Sequence, residues 1–275
     1  MRLIEDDDLA PAHDLAAVSH IGRTHATNED AVAIGRRVRD GAPLQAIVVC
    51  DGVSTSSHGE QASAHAAKAA LAVLLKAADD GGPLDAATAL GEAMAAAHRA
   101  ACEADIDLVP GKAPPGTTIV AALAYAGRID VAWVGDSRAY LVSPPSADRG
   151  ASTATVLTHD HSWINMVVDA GQMTEDEAEH SPYAHAITHC IGPLETSDPD
   201  QPAEPSLSSA TPESGSRLIV CSDGLWNYAP TPADITAIVV RARDDADART
   251  IADELVQEAL ARGGHDDVTV AVAFL

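Results

Sequence analysis

The chain has 275 residues, of which 46% are apolar but only 3% aromatic, with a single Phe, so a sizeable core is available and must be built from Ala, Val, Leu and Ile. Acidic residues number 41 against 17 basic ones, a net charge of −24, which excludes a binder of nucleic-acid backbone and argues against docking on anionic lipid. No uncharged apolar run reaches the about 18 residues of a membrane span, the N-terminus lacks an apolar signal core, and Cys50, Cys102, Cys190 and Cys221 form no C-x-x-C pair, so a cytoplasmic chain with free thiols is expected. Residues 1–14 read as an acidic tail. Three strand-like runs follow from Leu15, and the third, 46–50, is continuously apolar, as in a strand covered on both faces. An Ala-rich helix is predicted over 59–79. After Gly81-Gly82-Pro83 comes a second helix over 84–104, whose Leu84, Ala87, Leu90, Met94, Ala97 and Ala101 make one apolar stripe. Short β runs at 117–125, 129–134, 138–142 and 155–157 are punctuated by Gly127 and Gly135. Residues 158–195 are polar, His-rich and weakly helical, and 197–215 form a Pro/Ser loop. A strand at 218–221, helices at 232–243 and 246–262 and a strand at 268–275 end the chain. This order does not alternate as βαβ units do; it is α+β, with two antiparallel sheets face to face and a helix pair outside each, in one domain over 15–275.

The acids occupy telling positions. Two apolar strands end alike, in Val48-Val49-Cys50-Asp51-Gly52-Val53 and in Val220-Cys221-Ser222-Asp223-Gly224-Leu225. Asp136 lies in the hairpin Trp133-Val134-Gly135-Asp136-Ser137-Arg138, Asp266-Asp267 opens the last strand, and Glu29-Asp30 precedes the apolar run 31–34. Packed in one sandwich, these strands would bring the acids to one rim. Converging carboxylates raise one another's pKa unless cations sit between them. Hard divalent ions, Mg²⁺ or Mn²⁺, are the natural occupants, and two of them about 3.5–4 Å apart would hold a bridging hydroxide and clamp a phosphoryl oxygen. Asp is equally a common turn residue, so these positions alone indicate an acidic metal site and leave its reaction open. Cys50 and Cys221 sit in apolar strands and read as small buried hydrophobes, not nucleophiles.

Seven segments in order carry a resemblance: Asn28-Glu29-Asp30-Ala31, Val49-Cys50-Asp51-Gly52-Val53, Gly116-Thr117-Thr118-Ile119, Val134-Gly135-Asp136-Ser137-Arg138-Ala139-Tyr140, Leu157-Thr158-His159-Asp160-His161-Ser162, Cys221-Ser222-Asp223-Gly224-Leu225-Trp226 and Gly264-His265-Asp266-Asp267-Val268-Thr269-Val270. Over about residues 17–275 the chain resembles the metal-dependent serine/threonine protein phosphatases of the PPM, or type 2C, family in its compact bacterial form. The resemblance implies a four-layer α-β-β-α sandwich and hydrolysis of phosphoserine and phosphothreonine on proteins by a metal-activated bridging water. It implies that Asp51 bridges two Mn²⁺ or Mg²⁺ ions and that Gly52 offers its carbonyl. Glu29 would join them on one ion, Asp223 and Asp266 would bind the other, and Asp30 would hold metal-bound waters. In many bacterial members a third, weaker ion sits near the equivalents of Asp136 and Asp223. The segment 160–195 would be a flap beside the site. Phosphorylated proteins and a serine/threonine kinase pathway are the implied partners.

This chain departs from the pattern at four places. His25 stands where an Arg often binds the substrate phosphate, with Arg23 two residues earlier; Ser54-Thr55-Ser56-Ser57-His58-Gly59-Glu60 replaces a Gly-rich run; Asp267 replaces Asn; and Asn227 stands where an acid is common. His25 and Arg23 are therefore the candidates for the phosphate contact, and His25 and His58 for the proton donor. Two other functions remain open from the sequence: a pseudophosphatase binding module, and a two-metal hydrolase of small phosphoesters.

Overall fold

A computed structural model describes residues 3–5, 13–103, 108–146, 150–193, 203–242 and 246–275. Strands β1 (Leu3–Glu5), β2 (Leu15–His20), β3 (Asp30–Arg39) and β4 (Ala42–Asp51) lead into helices α1 (Gly59–Asp79) and α2 (Ala86–Glu103). Strands β5 (Ile119–Tyr125), β6 (Arg128–Val134), β7 (Arg138–Ser143) and β8 (Thr153–Val156) are followed by two short helices, α3 (Trp163–Asp169) and α4 (Glu175–Glu179). Then come β9 (Ser206–Ala210), β10 (Arg217–Cys221), α5 (Asp223–Trp226), α6 (Pro232–Arg241), α7 (Ala248–Arg262) and β11 (Val268–Phe274).

The strands form two sheets, ordered β1-β3-β4-β5-β6-β9 and β2-β11-β10-β7-β8. Strand side chains alternate faces, and this divides the apolar runs between layers. In β4, Leu44, Ala46, Val48 and Cys50 join the core under α1 and α2, while Ile47 and Val49 join the core between the sheets. In β11, Val268, Val270 and Val272 pack toward α6 and α7, while Ala271 and Ala273 face the first sheet. Three apolar layers between four structural layers explain why these strands are apolar throughout. Each fully buried Leu, Ile or Val contributes about 1.5–3 kcal/mol. Alanines at 66, 67, 70, 93 and 97 keep the α1–α2 layer thin, which is how so few aromatics suffice.

The architecture is the expected α+β sandwich, with three differences. Leu3–Glu5, placed in the acidic tail by the sequence, pairs in parallel with β3 at Val32, Ala33 and Ile34, so the first sheet is mixed; the rest of the tail up to residue 12 lies outside the described residues. Part of the Pro/Ser loop is β9, which pairs with β6 from Trp133↔Ser206 to Ile129↔Ala210; residues 197–202 of that loop lie outside the described ones. The Asp-Gly turn after β10 is the single helical turn α5. No described helix is long and apolar enough to cross a membrane.

Candidate functional site

Strand register brings the acids together. Asp30 and Asp51 are direct partners across β3 and β4. In the second sheet Cys221 pairs with both Arg138 and Val270, so Asp223, the β6–β7 hairpin with Asp136, and Asp266-Asp267 end at one edge. The two edges are joined by Ser222, whose hydroxyl donates to Asp30 Oδ2 at 2.8 Å while accepting from Thr269 N at 3.1 Å. Two glycines allow the close approach. A Cβ on Gly52 would run into the carbonyls of Gly59 and Glu29, and one on Gly224 into the carbonyl of Asp267.

The Asp51 backbone is held from three directions. Its carbonyl accepts from Thr118 N at 2.8 Å and from Thr117 Oγ1 at 2.8 Å, and its N–H donates to Thr118 Oγ1 at 3.2 Å. Glu29 accepts at Oε2 from Ser54 Oγ at 2.5 Å. Asp223 Oδ2 accepts from the Asn227 amide at 3.1 Å, so the asparagine standing where an acid is common supplies a donor. Trp226 Nε1 donates to the Asp136 carbonyl at 2.9 Å. The Arg138 guanidinium stacks on the Trp226 ring at 4.0 Å and forms a forked pair with buried Asp160, as close as 2.6 Å.

Asp267 is a clamp. Its Oδ1 accepts from Gly22 N at 2.8 Å, and its Oδ2 accepts from Glu29 N at 2.7 Å and from His25 Nδ1 at 3.2 Å. It thus ties the β2–β3 loop to the start of β11, and it is 2% exposed. His25 Nδ1 also lies 3.4 Å from Asp266 Oδ1, and these three side chains offer ligand atoms all within 4.8 Å of one another. Burial disfavours the imidazolium, but the Asp267 bond and the charges of Asp266, Asp267 and Glu29 outweigh it and raise the His25 pKa. Arg23 is elsewhere: its guanidinium donates to Leu260 O at the end of α7, at 2.9 Å. His58 caps α1 in the left-handed conformation, φ 52°, with Nδ1 3.1 Å from Glu60.

The carboxylates crowd one another. Loss of water around Asp51, then the charges of Asp30, Asp223, Asp136 and Asp266, push its pKa well above the usual range. Asp30 is raised likewise by burial and by Asp267 and Asp223, against the Ser222 and Thr269 hydroxyls. Asp136 is pushed up to about 7 by burial, Asp223 and Asp160, and Asp223 to about 6 by burial and Asp266. Asp30 Oδ1 and Asp223 Oδ1 are buried without a hydrogen-bond donor among the described residues. Buried oxygens without donors, in a cluster of mutually repelling carboxylates, fit a hard divalent cation. Thr117, Thr118, Ser222 and Asp267 lie in segments that carry the resemblance, but what each one holds is not legible there, because each acts on a partner far away along the chain.

The model of the family described as "Protein phosphatase 2C" matches residues 18–261. Serine/threonine protein phosphatase PstP of Mycobacterium tuberculosis is 31% identical over 258 residues, 94% of this chain but 44% of the relative, so the chain spans less than half of that protein's length. Among solved structures, the serine/threonine phosphatase of S. agalactiae superposes with a TM-score of 0.73 at 27% identity, covering 95% of this chain and 99% of that one. The catalytic domain of PstP in complex with two manganese ions superposes with a TM-score of 0.70 at 28% identity, over 94% of this chain and 96% of that one. Sequence match, layer order and the acid-lined rim agree: the chain belongs to the protein phosphatase 2C family.

Proposed function

We propose that this chain hydrolyses phosphoserine and phosphothreonine on proteins. The observation that carries the proposal is the group of carboxylates from both sheets, with two buried oxygens that have no donor among the described residues, in a family whose member PstP has been solved with two manganese ions. Asp51, the Gly52 carbonyl and Glu29 would hold one Mn²⁺ or Mg²⁺, and Asp51, Asp223 and Asp266 the other. Asp136 with Asp223 suits a third, weaker ion, and Asp30 would orient water. When bound, the cations supply positive charge to the phosphoryl oxygens and acidify the attacking water. Asp30, fixed by Ser222, would accept a hydrogen bond from that water and keep its lone pair aimed at phosphorus. His25 uses Nδ1–H toward Asp267, which leaves Nε2 for a phosphate oxygen or for the departing alkoxide. The catalytic unit would span 15–275, with 160–195 as a flap, and would act in the cytoplasm on proteins phosphorylated by a serine/threonine kinase.

The deciding experiment measures phosphate release from a phosphothreonine peptide and from p-nitrophenyl phosphate, with Mn²⁺ and with chelator. Mn²⁺-dependent release from both is expected. Release from the small ester alone would make the chain a small-phosphoester hydrolase, and peptide binding without release a pseudophosphatase. Asp51→Ala should abolish turnover at saturating Mn²⁺ while remaining folded, since it removes a charge from a repelling cluster as well as a ligand. Near-normal turnover in that variant would remove Asp51 from the centre.

A further inference from the structure

A buried histidine on α2 is connected to the backbone of Asp51. His98 is 1% exposed. Its Nδ1 accepts the backbone N–H of Gly192 at 3.3 Å, so the ring hydrogen is on Nε2, which lies 3.5 Å from Cys102 Sγ. Gly192 sits at the end of the 160–193 segment with φ +125°, and a Cβ there would collide with the Pro115 carbonyl. Its neighbour Ile191, 1% exposed, exchanges both backbone hydrogen bonds with Thr117, at 3.0 and 2.9 Å. Thr117 in turn donates from Oγ1 to the Asp51 carbonyl at 2.8 Å and bridges to Gly52. The path from His98 to Asp51 therefore runs through Gly192, Ile191 and Thr117; Ile191 and Thr117 are fully buried.

We infer that His98 is a positioning residue for the metal-binding rim: by accepting the Gly192 N–H it holds residues 191–192 against the start of β5, and through Thr117 it sets the backbone of Asp51. This rests on the reading of Asp51 as a metal ligand. Buried amides require acceptors. With an apolar side chain at 98, Gly192 N–H would lose this acceptor, and the pairing of Ile191 with Thr117 would loosen with it. The Asp51 carbonyl would then keep Thr118 N but lose a fixed Thr117. The role needs an acceptor at the Nδ1 position, and it needs no charge.

The test uses His98→Asn, whose Oδ1 stands near the Nδ1 position, His98→Gln, whose Oε1 stands nearer Nε2, and His98→Leu, which has no acceptor. Two readouts are taken on the folded protein: the Mn²⁺ dissociation constant by calorimetry, and hydrogen exchange of the Thr117 and Ile191 amides. His98→Gln and His98→Leu should weaken Mn²⁺ binding about tenfold, the low end for outer partners of metal ligands, and should speed both amides. His98→Asn should stay close to wild type in both. If His98→Leu does not fold, the Asn–Gln contrast decides. Equal constants in Asn and Gln variants, or faster exchange with an unchanged Mn²⁺ constant, would overturn the inference. A wild-type protein that binds no Mn²⁺ would instead overturn the phosphatase reading, and unchanged exchange across the variants would then overturn the anchor as well.

Discussion

At the scale of single residues, His25 and Arg23 lie on one loop, near where an arginine often stands in this family, and they have different partners. Arg23 donates to Leu260 O, so Arg23→Ala should leave KM for a phosphopeptide unchanged and lower Tm slightly. His25 is raised above its ordinary pKa of 6.5 by Asp267, Asp266 and Glu29 against burial, and a bound phosphate dianion would raise it further. In the Mn²⁺-loaded enzyme Asp266 and Glu29 would face the cations, so the Asp267 bond and the phosphate are what favour the imidazolium there, and KM should climb as rising pH removes it. His25→Arg has no such dependence. It should lower KM at alkaline pH by the equivalent of about 1.5–3 kcal/mol at most, one charge-assisted hydrogen bond, and change little at acidic pH. KM profiles against pH for both variants check this. A flat profile for wild type, with a raised KM in Arg23→Ala, would return the phosphate contact to Arg23.

At the scale of elements, the end of α1 is closed by a side chain from a strand. Arg39 is 7% exposed. Its guanidinium donates to the carbonyls of Ala77 at 3.1 Å, Ala78 at 2.7 Å and Asp80 at 2.8 Å, and to that of Gly82. A helix end leaves such carbonyls without partners and carries a partial negative charge, and one fork answers both. Arg39→Met should cost about 2–4 kcal/mol in urea unfolding, because several carbonyls lose a charged donor at once. Arg39→Lys should recover only part, lacking the fork. Turnover per folded molecule should be unchanged in both, since α1 has 21 residues and its capped end is therefore about 30 Å from the end beside Gly52. Lost turnover with unchanged stability would refute this account.

At the scale of the molecule, charge yields one prediction for stability and one for the phosphopeptides that bind. Asp30, Asp51, Asp136 and Asp223 all have raised pKa values, with Asp223 at about 6 and Asp136 at about 7. A carboxyl whose folded pKa exceeds its unfolded pKa holds more protons when folded, so stability falls as pH rises from the unfolded value near 4 through the folded one. The metal-free protein should lose Tm between about pH 4 and 7 through this cluster, and Mn²⁺ should restore more Tm the higher the pH. Exposed Asp85 and half-buried Asp234, Asp247 and Glu258 are lowered by hydrogen bonds and act with the opposite sign below that window. Asp136→Asn isolates the cluster: its Tm should fall less steeply over the same range. Charge also bears on what approaches. Residues 150–216 contain no Lys or Arg, and α4 exposes Glu175, Asp176, Glu177 and Glu179. Phosphopeptides flanked by Arg should have a lower KM than those flanked by Glu, and the gap should close near 1 M salt, where charges are screened within about 3 Å.

Local pattern and residue type carry the part of this architecture that can be read along the chain. The unbroken apolar run of β4, the stripe of α2 and the Asp-Gly ends after Cys50 and Ser222 are properties of neighbouring residues, so the layer count, the sandwich and the acid-bearing turns were open to reading. β9 was not: Ser206–Ala210 has no apolar alternation and is a strand only because β6 offers its backbone. β1 was hidden by acidic neighbours for the same reason. Arg23 and His25 lie two residues apart on one loop and nothing local tells them apart; their different partners, the carbonyl of Leu260 and the carboxylate of Asp267, come from the far end of the chain. The pKa shifts, the Ser222 link between the sheets and the hold of Thr117 and Thr118 on Asp51 likewise exist only after folding. Each depends on desolvation and on short distances between residues far apart in the chain, and hydrogen bonds and Coulomb interactions act through space, not along the sequence.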